Sequence, residues 1–319
     1  LQYVLHACYR LGLLFEQPER IHNFPEQVLE VARLIEQGYR RAPGVVIATV
    51  VLRRSGRYVV RHSVNAACVA VAVLHEMNPT GPIHLPVLAA ALTMNIGVLE
   101  LQEILAQQPQ PLTPSQQARI EHHPFDSVQR LRKLGVCDEL WLRVVQEHHE
   151  ALDGGGYPLR LRGAAVAQEA QLIGLADVFC ARVSERSYRQ ADSAKLVLRD
   201  ILIERGRRAD VILAAYFIRA LGVYPIGTVV QLVSGEIGVV SGHSAWVDAP
   251  IVHALLTAEG SRLALPVRYE THQPEHAIAE ALSISELDIP IDMEAIWGAE
   301  ASDFHREQQD PNRPMAEAR

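Results

Sequence analysis

Histidine is the side chain that binds a transition metal while neutral and changes charge near physiological pH. This chain holds 14 histidines, seven of them between His62 and His149. Two pairs are adjacent, His122-His123 and His148-His149, and the second opens the stretch "EHHEALDGGGYP" at 147–158. A single helical histidine is more often surface or hydrogen-bonded core than a ligand, but an adjacent pair is a different signal. Imidazoles suit transition metals, and helical bundles build metal sites from side chains on facing helices. Neighbours on a helix diverge by about 100°, so two adjacent rings reach one ion only where the helix ends and the backbone departs. Gly154, Gly155 and Gly156 supply that departure, and they also let backbone approach a partner closely.

Positioning these rings requires helices with defined ends. In "NFPEQVLEVARLIEQGYRR", Asn23 reads as a cap, Pro25 suits the first turn, and Val28, Val31, Ala32, Leu34 and Ile35 recur at helical spacing until Gly38. "SVNAACVAVAVLHE" is apolar nearly all round, the pattern of a central helix, so His62 hangs on a core element. "LTPSQQARIEHHPF" opens with a capping box, Thr113 and Gln116 around Pro114, and carries His122 and His123 at its end. "PFDSVQRLRKLG" and "DELWLRVVQEHHE" read as two further helices, the first closed by Gly135 and the second delivering His148 and His149 at its C-terminus. A helix over about 168–185 holds Asp177, and two more follow over about 192–205 and 209–221. After "GVYPIG" the texture turns to β, with "TVVQLVSGEIGVVSG" and "SRLALPVRYE" as strands. From Asp303 the chain is polar and reads as a frayed tail.

Several of these segments together resemble the HD-GYP domains, a subgroup of the HD metallophosphohydrolases that hydrolyse cyclic di-GMP. "HHEALDGGGYP" is similar to the signature HHExxDGxGYP, "YVVRHSVNAACVA" to YTxxHSxxVAxxA, "PQPLTPSQQARIEHHPFDS" to KPGxLTxxE…HPxxG, and "ADVFCARVSERSYR" to ADxFDALTSDRPYR. The matches run in order from about Ala42 to Tyr224. "YPIGTVVQLVSGEIGVV" resembles, more weakly, a small β extension that follows some members. The resemblance implies a mainly α fold, an HD-type helical bundle with a small C-terminal β extension. The expected organisation is an N-terminal helical segment at 1–41, the HD-GYP-like domain at 42–223, the β-containing extension at 224–302 and the tail at 303–319.

Carried over residue by residue, the family's metal ligands fall on His62, His123, His148, His149 and Asp177. The name-giving pair is replaced. Where the family has LLHDIGK this chain has "LTMNIGV", with Met94 for the histidine, Asn95 for the metal-bridging aspartate and Val98 for the lysine. A neutral amide is a poor ligand and a thioether is soft, unsuited to a hard metal centre. His62 and Asp177 are thus reduced to two ligands, while His123, His148 and His149 suffice for one metal with open positions. The resemblance therefore implies at most one transition metal, iron or manganese. The dinucleotide contacts fall on Tyr157, Arg186 and Arg189, with Arg182 one turn earlier adding charge. Cys180 stands where the family has a second aspartate and reads as a buried thiol, and His122 as an exposed neighbour of His123.

Composition narrows the partners. With 319 residues, 49% hydrophobic and a formal charge of −7, the chain reads as a globular protein and not as a binder of nucleic-acid polymers, which calls for a basic face. No apolar run approaching a membrane span is read, and "LQYVLHACYR" lacks the basic segment and cleavage site of a secretory signal. Cys8, Cys68, Cys137 and Cys180 are scattered, with no CxxC pair, and read as reduced buried thiols of a cytoplasmic protein. Three readings stay open: a non-catalytic cyclic di-GMP receptor or scaffold that engages a signalling protein through its GYP surface, a slow metal-dependent phosphodiesterase, and an interaction module that binds neither metal nor nucleotide.

Overall fold

The computed structural model describes residues 1–184, 192–284 and 291–301. Eleven helices come first among the described residues: α1 (Gln2–Glu16), α2 (Phe24–Arg41), α3 (Pro43–Leu52), α4 (Tyr58–Met77), α5 (Leu85–Thr93), α6 (Leu99–Gln107), α7 (Pro114–Lys133), α8 (Glu139–Glu147), α9 (Gln168–Val183), α10 (Ala194–Ile203) and α11 (Val211–Leu221). An antiparallel sheet follows, built of β1 (Val229–Leu232), β2 (Ile237–Gly242), β3 (Ile251–Leu256), β4 (Arg262–Glu270) and β5 (Ile278–Ala281) in the order β4-β3-β2-β1-β5. A short α12 (Met293–Trp297) closes the described chain. The molecule is mainly α with a small C-terminal sheet, as the sequence implies. The strands β3 and β5 escaped the sequence reading, although β3 alternates half-buried and buried residues as a one-sided strand should.

The central helix is α4, which touches α1, α2, α3, α5, α6, α9 and α11. Its alanines Ala66, Ala67, Ala70 and Ala72 are fully buried and let these neighbours approach on every side. By length and composition α4 is apolar enough to cross a membrane, contrary to the sequence reading, but it is mostly buried inside the fold. That enclosure explains the composition: a helix packed on all faces carries no polar stripe.

Two boundaries differ from expectation for identifiable reasons. Gly38 does not end α2, which continues to Arg41. A Cβ at Gly38 would stand 2.8 Å from Tyr3 Cβ, so the glycine is where α1 and α2 touch. Asn23 occupies the cap position in a left-handed conformation without a side-chain capping bond. The second difference is α7, one continuous helix with Pro124 inside it rather than two helices. The capping box at its start forms as read: Gln116 N donates to Thr113 Oγ1 at 3.2 Å and Thr113 N to Gln116 Oε1 at 2.9 Å. Gly135, at φ 90, follows its end.

The sheet joins the bundle through α3. Gly227 brings its backbone against Ala48, where a Cβ would be 3.1 Å from Ala48 Cα, and Trp297 Nε1 donates to Ser241 O at 2.8 Å across β2. One continuous hydrophobic core therefore runs from Leu1, just before α1, through Met293 in α12 to Ala301. All four cysteines are free; Cys8, Cys68 and Cys180 are buried, whereas Cys137 is exposed, contrary to the reading of four buried thiols. The tail at 303–319 lies outside the described residues.

Candidate metal centre

Pro124 sets the first ligand. Proline has no N–H, so the carbonyl of Ile120, four residues earlier in α7, loses its helical donor. The ring of His123 takes the vacancy, with Nδ1–H donating to Ile120 O at 2.5 Å. Its Nε2 is thereby left as a lone pair. His148 reaches the same state by another route: it follows the last residue of α8, where terminal carbonyls lack helical partners, and its Nδ1–H donates to Val145 O at 2.6 Å. The two Nε2 atoms face each other at 3.3 Å.

Two imidazole lone pairs at that separation repel unless a cation or proton lies between them. Two metal–nitrogen bonds of about 2.0–2.1 Å at a tetrahedral angle would span about 3.3 Å, which is the spacing found. His149 joins them. Its ring centroid lies 4.1 Å from that of His148 and 5.0 Å from that of His123, and one nitrogen from each of the three falls within 4.8 Å of the others. The glycine run turns the backbone so that both adjacent rings point inward: Tyr157 N donates to His149 O at 3.1 Å, and a Cβ at Gly156 would come within 2.5 Å of that same carbonyl. Gly174 in α9 is needed as well, since a Cβ there would sit 2.3 Å from His148 O.

Asp177, from α9, closes the group. His62 Nε2 lies 2.7 Å from Asp177 Oδ1, and His149 Nδ1 lies 4.0 Å from Asp177 Oδ2. The five residues that the resemblance assigns as ligands therefore converge from α4, α7, α9 and the end of α8. His62 Nδ1 is buried and has no hydrogen-bond partner among the described residues. Burial lowers the pKa values of His123, to about 3, of His148 and of His149, and mutual repulsion adds to the effect at His123 and His149. Burial alone would raise Asp177, but the His62 hydrogen bond and the neighbouring imidazoles bring it well below the usual carboxylate range. Neutral imidazoles beside an ionised carboxylate are the protonation states a cation requires of its ligands. The residues present fit a transition metal.

Tyr157 covers the open side. Its ring lies 4.6 Å from that of His149, tilted by 31°, and burial, followed by the Asp177 charge, pushes its hydroxyl pKa up. His149 keeps 19% of its side chain exposed, so the centre meets solvent along the His149–Tyr157 edge. Arg186 and Arg189 lie outside the described residues. Arg182 is committed elsewhere, to Asp192 at 2.7 Å and Asp200 at 2.8 Å, which tie the end of α9 to α10. His122 points outward and pairs with Asp126 at 3.2 Å.

Three roles escaped the sequence reading. Glu150, the acid after the paired histidines, accepts hydrogen bonds from Leu159, Arg160 and Leu161 N at 2.6, 3.1 and 2.9 Å, pinning the chain beyond Pro158. Glu147 accepts from Ala167 N at 2.8 Å and so fixes the start of α9 against α8. Asp153 receives Arg207 from the α10–α11 turn at 3.3 Å, and the neighbouring Arg208 bears on His149 and Tyr157 electrostatically. Glu150 and Asp153 stand at the acidic positions of the HHExxDGxGYP pattern, which was the signal for them; Glu147 had none. Met94 and Asn95 are buried in a tight turn after α5; Gly97 N donates to Ser127 Oγ at 3.0 Å and Arg130 to Ile96 O at 2.9 Å, fastening the turn to α7. The buried amide nitrogen of Asn95 has no partner among the described residues.

The HD domain family profile matches residues 47–212, just over half of the chain. A cyclic di-GMP phosphodiesterase of Pseudomonas aeruginosa is 27% identical over 227 residues, covering 71% of this chain and 54% of that protein. Cyclic di-GMP phosphodiesterase PdeB of Borreliella burgdorferi is 24% identical over 178 residues, covering 56% and 47%. The 3'3'-cGAMP-specific phosphodiesterase 1 of Vibrio cholerae is 30% identical over 186 residues, covering 56% and 40%. The chain spans about half the length of the curated relatives it matches. A solved HDG"Y"P protein from Bdellovibrio bacteriovorus shares the fold, with a TM-score of 0.57 at 16% identity over 68% of this chain and 70% of that one.

Proposed function

This chain belongs to the HD domain family, and we propose that it acts there as a cytoplasmic cyclic di-GMP receptor with little or no hydrolytic turnover. One observation carries the reading: the three-histidine cluster of His123, His148 and His149 converges beside Tyr157, while Met94 and Asn95 stand where the resemblance places a histidine and the metal-bridging aspartate. A metal held by these histidines, with iron or manganese as the expected ion, would supply Lewis acidity and a bound water of lowered pKa. His62 and Asp177 are bonded to each other, which leaves that half of the centre with two protein ligands rather than a full set. Phosphodiester cleavage gains most from two metals that stabilise the attacking and leaving oxygens together. Tyr157, at the exposed edge of His149, is placed to stack on or hydrogen-bond to a nucleotide, and Arg186 and Arg189 are its proposed phosphate and guanine partners.

The test is calorimetric titration of the full chain with cyclic di-GMP and, in a second arm, 3'3'-cGAMP, alongside elemental analysis. Cyclic di-GMP binding, weakened by Arg186→Ala by roughly 1.5–3 kcal/mol, with at most about one metal per chain lost in His148→Ala, supports the receptor. Preference for 3'3'-cGAMP would move the ligand assignment. Rapid multiple-turnover hydrolysis that is abolished by His149→Ala would establish the second reading, a metal-dependent phosphodiesterase. The observation that favours that second reading is the naming of the relatives themselves as phosphodiesterases.

A further inference from the structure

The stretch "LRRSGRYVVRH" places four arginines within nine residues, Arg53, Arg54, Arg57 and Arg61, immediately before His62. Gly56, at φ 88, folds the α3–α4 connection back on itself, and Arg61 stands one helical turn beyond Arg57. All four line one cavity of about 570 Å³ at the corner of α3 and α4, within the range of small-molecule sites. Glu103 from α6 is the one carboxylate among its described lining residues.

The charges of Arg57 and Arg61 are only partly offset. Arg61 donates through NH1 to the main-chain carbonyls of Arg54 and Gly56, neutral acceptors that fix its position and leave its charge in place. Arg57 meets Glu103 at 3.5 Å, and the Glu103 oxygen it meets also accepts from Val59 N at 3.3 Å. Tyr58 forms the partition toward the histidines: its ring stacks on that of His62 at 5.5 Å and 16°, and Arg61 lies 5.8 Å from its centroid. Tyr58 thus borders the cavity on one side and His62 of the candidate metal centre on the other.

We propose that this cavity is an oxyanion subsite that takes the phosphate of a nucleotide, with Arg57 and Arg61 as the phosphate-binding pair. A guanidinium presents parallel N–H donors that match phosphate oxygens, and a partly enclosed wall strengthens each such contact. The choice of a nucleotide rests on the receptor reading above; the basic cavity itself does not depend on a metal.

The experiment is titration of the full chain with guanosine 5'-monophosphate and with inorganic phosphate, alongside metal analysis of each variant. Arg57→Gln should weaken guanosine monophosphate by roughly tenfold or more, the loss of one charge-assisted hydrogen bond. Glu103→Gln, which removes the competing carboxylate, should tighten it, and metal content should stay unchanged in both. His148→Ala should lose metal and keep guanosine monophosphate. No binding of either probe at millimolar concentration overturns the proposal, as does equal binding by the unmodified chain and Arg57→Gln. Loss of guanosine monophosphate together with the metal in His148→Ala also overturns it, because the phosphate would then sit on the metal. Failure of cyclic di-GMP to bind while guanosine monophosphate still responds to Arg57→Gln sinks the receptor reading and supports this subsite.

Discussion

Pro124 shows how one residue type can prepare a ligand without touching it. By withholding an N–H it frees Ile120 O, and the His123 ring takes that bond and turns Nε2 inward. Pro124→Ala restores a helical donor that competes for the same carbonyl. Metal affinity is expected to drop about 10- to 100-fold, the usual effect of removing a ligand's supporting bond, with no loss of thermal stability. Competition against a chromophoric chelator measures it, and unchanged affinity would mean that the ring is oriented by something else. The titration of these rings gives a second expectation. In the unfolded chain His123 ionises at about 6.5, whereas burial holds it at about 3 in the fold. Between those values the unfolded state binds more protons, so stability falls as pH is lowered. Asp177 acts in the same direction at lower pH, since its folded pKa is depressed and its contribution disappears as it protonates. The urea midpoint of metal-free protein should therefore decline from about pH 6.5 downward; a midpoint that rises in acid would show the rings already charged in the fold.

Elements place these residues through close contacts that tolerate no added atoms. The α1–α2 contact at Gly38 is one. Alanine there gains roughly 0.5–1 kcal/mol of helix propensity, but its Cβ meets Tyr3 Cβ, an atom that cannot swing aside. The clash should win, with a net loss of about 1–2 kcal/mol in chemical denaturation; a stabilised variant would mean that α1 shifts freely. Glu150 is the counterpart at the centre. One carboxylate satisfies three consecutive amides after the GYP turn, so Glu150→Ala should cost about 3 kcal/mol and speed amide exchange at Leu159 to Leu161. Protection unchanged at those amides would show that the loop holds itself.

Across the whole molecule, helices from distant parts of the chain meet around α4, and the turn that carries Met94 and Asn95 is fastened to the same α7 that delivers His123. The turn that carries Met94 and Asn95 is therefore held beside the histidine cluster. Met94→His with Asn95→Asp should raise metal content above the at most about one ion per chain expected of the unmodified chain, read by elemental analysis. An unmodified chain that already carries two tightly bound metals would contradict a centre limited to the three histidines.

The sequence by itself determined the class of fold and marked five candidate ligand positions and the Met94-Asn95 segment, because each rests on residue types at fixed spacing. Helical periodicity, the Thr113–Gln116 capping box and the glycine run after His149 are local, and local chemistry survives being read one residue at a time. Only the tertiary structure decided what each neighbour contributes. Gly38 reads as a helix end until Tyr3 is seen against it, and Pro124 reads as a break until its effect on the Ile120 carbonyl is seen. Glu150 and the arginines before His62 stand in recognisable stretches, but those stretches do not say what the side chains bind. Their roles depend on partners brought within bonding distance by a turn, as with Leu159 at Glu150, or by packing of distant segments, as with Glu103 at Arg57. Periodicity records which face of an element is buried; it holds no information about which atom of another element arrives there.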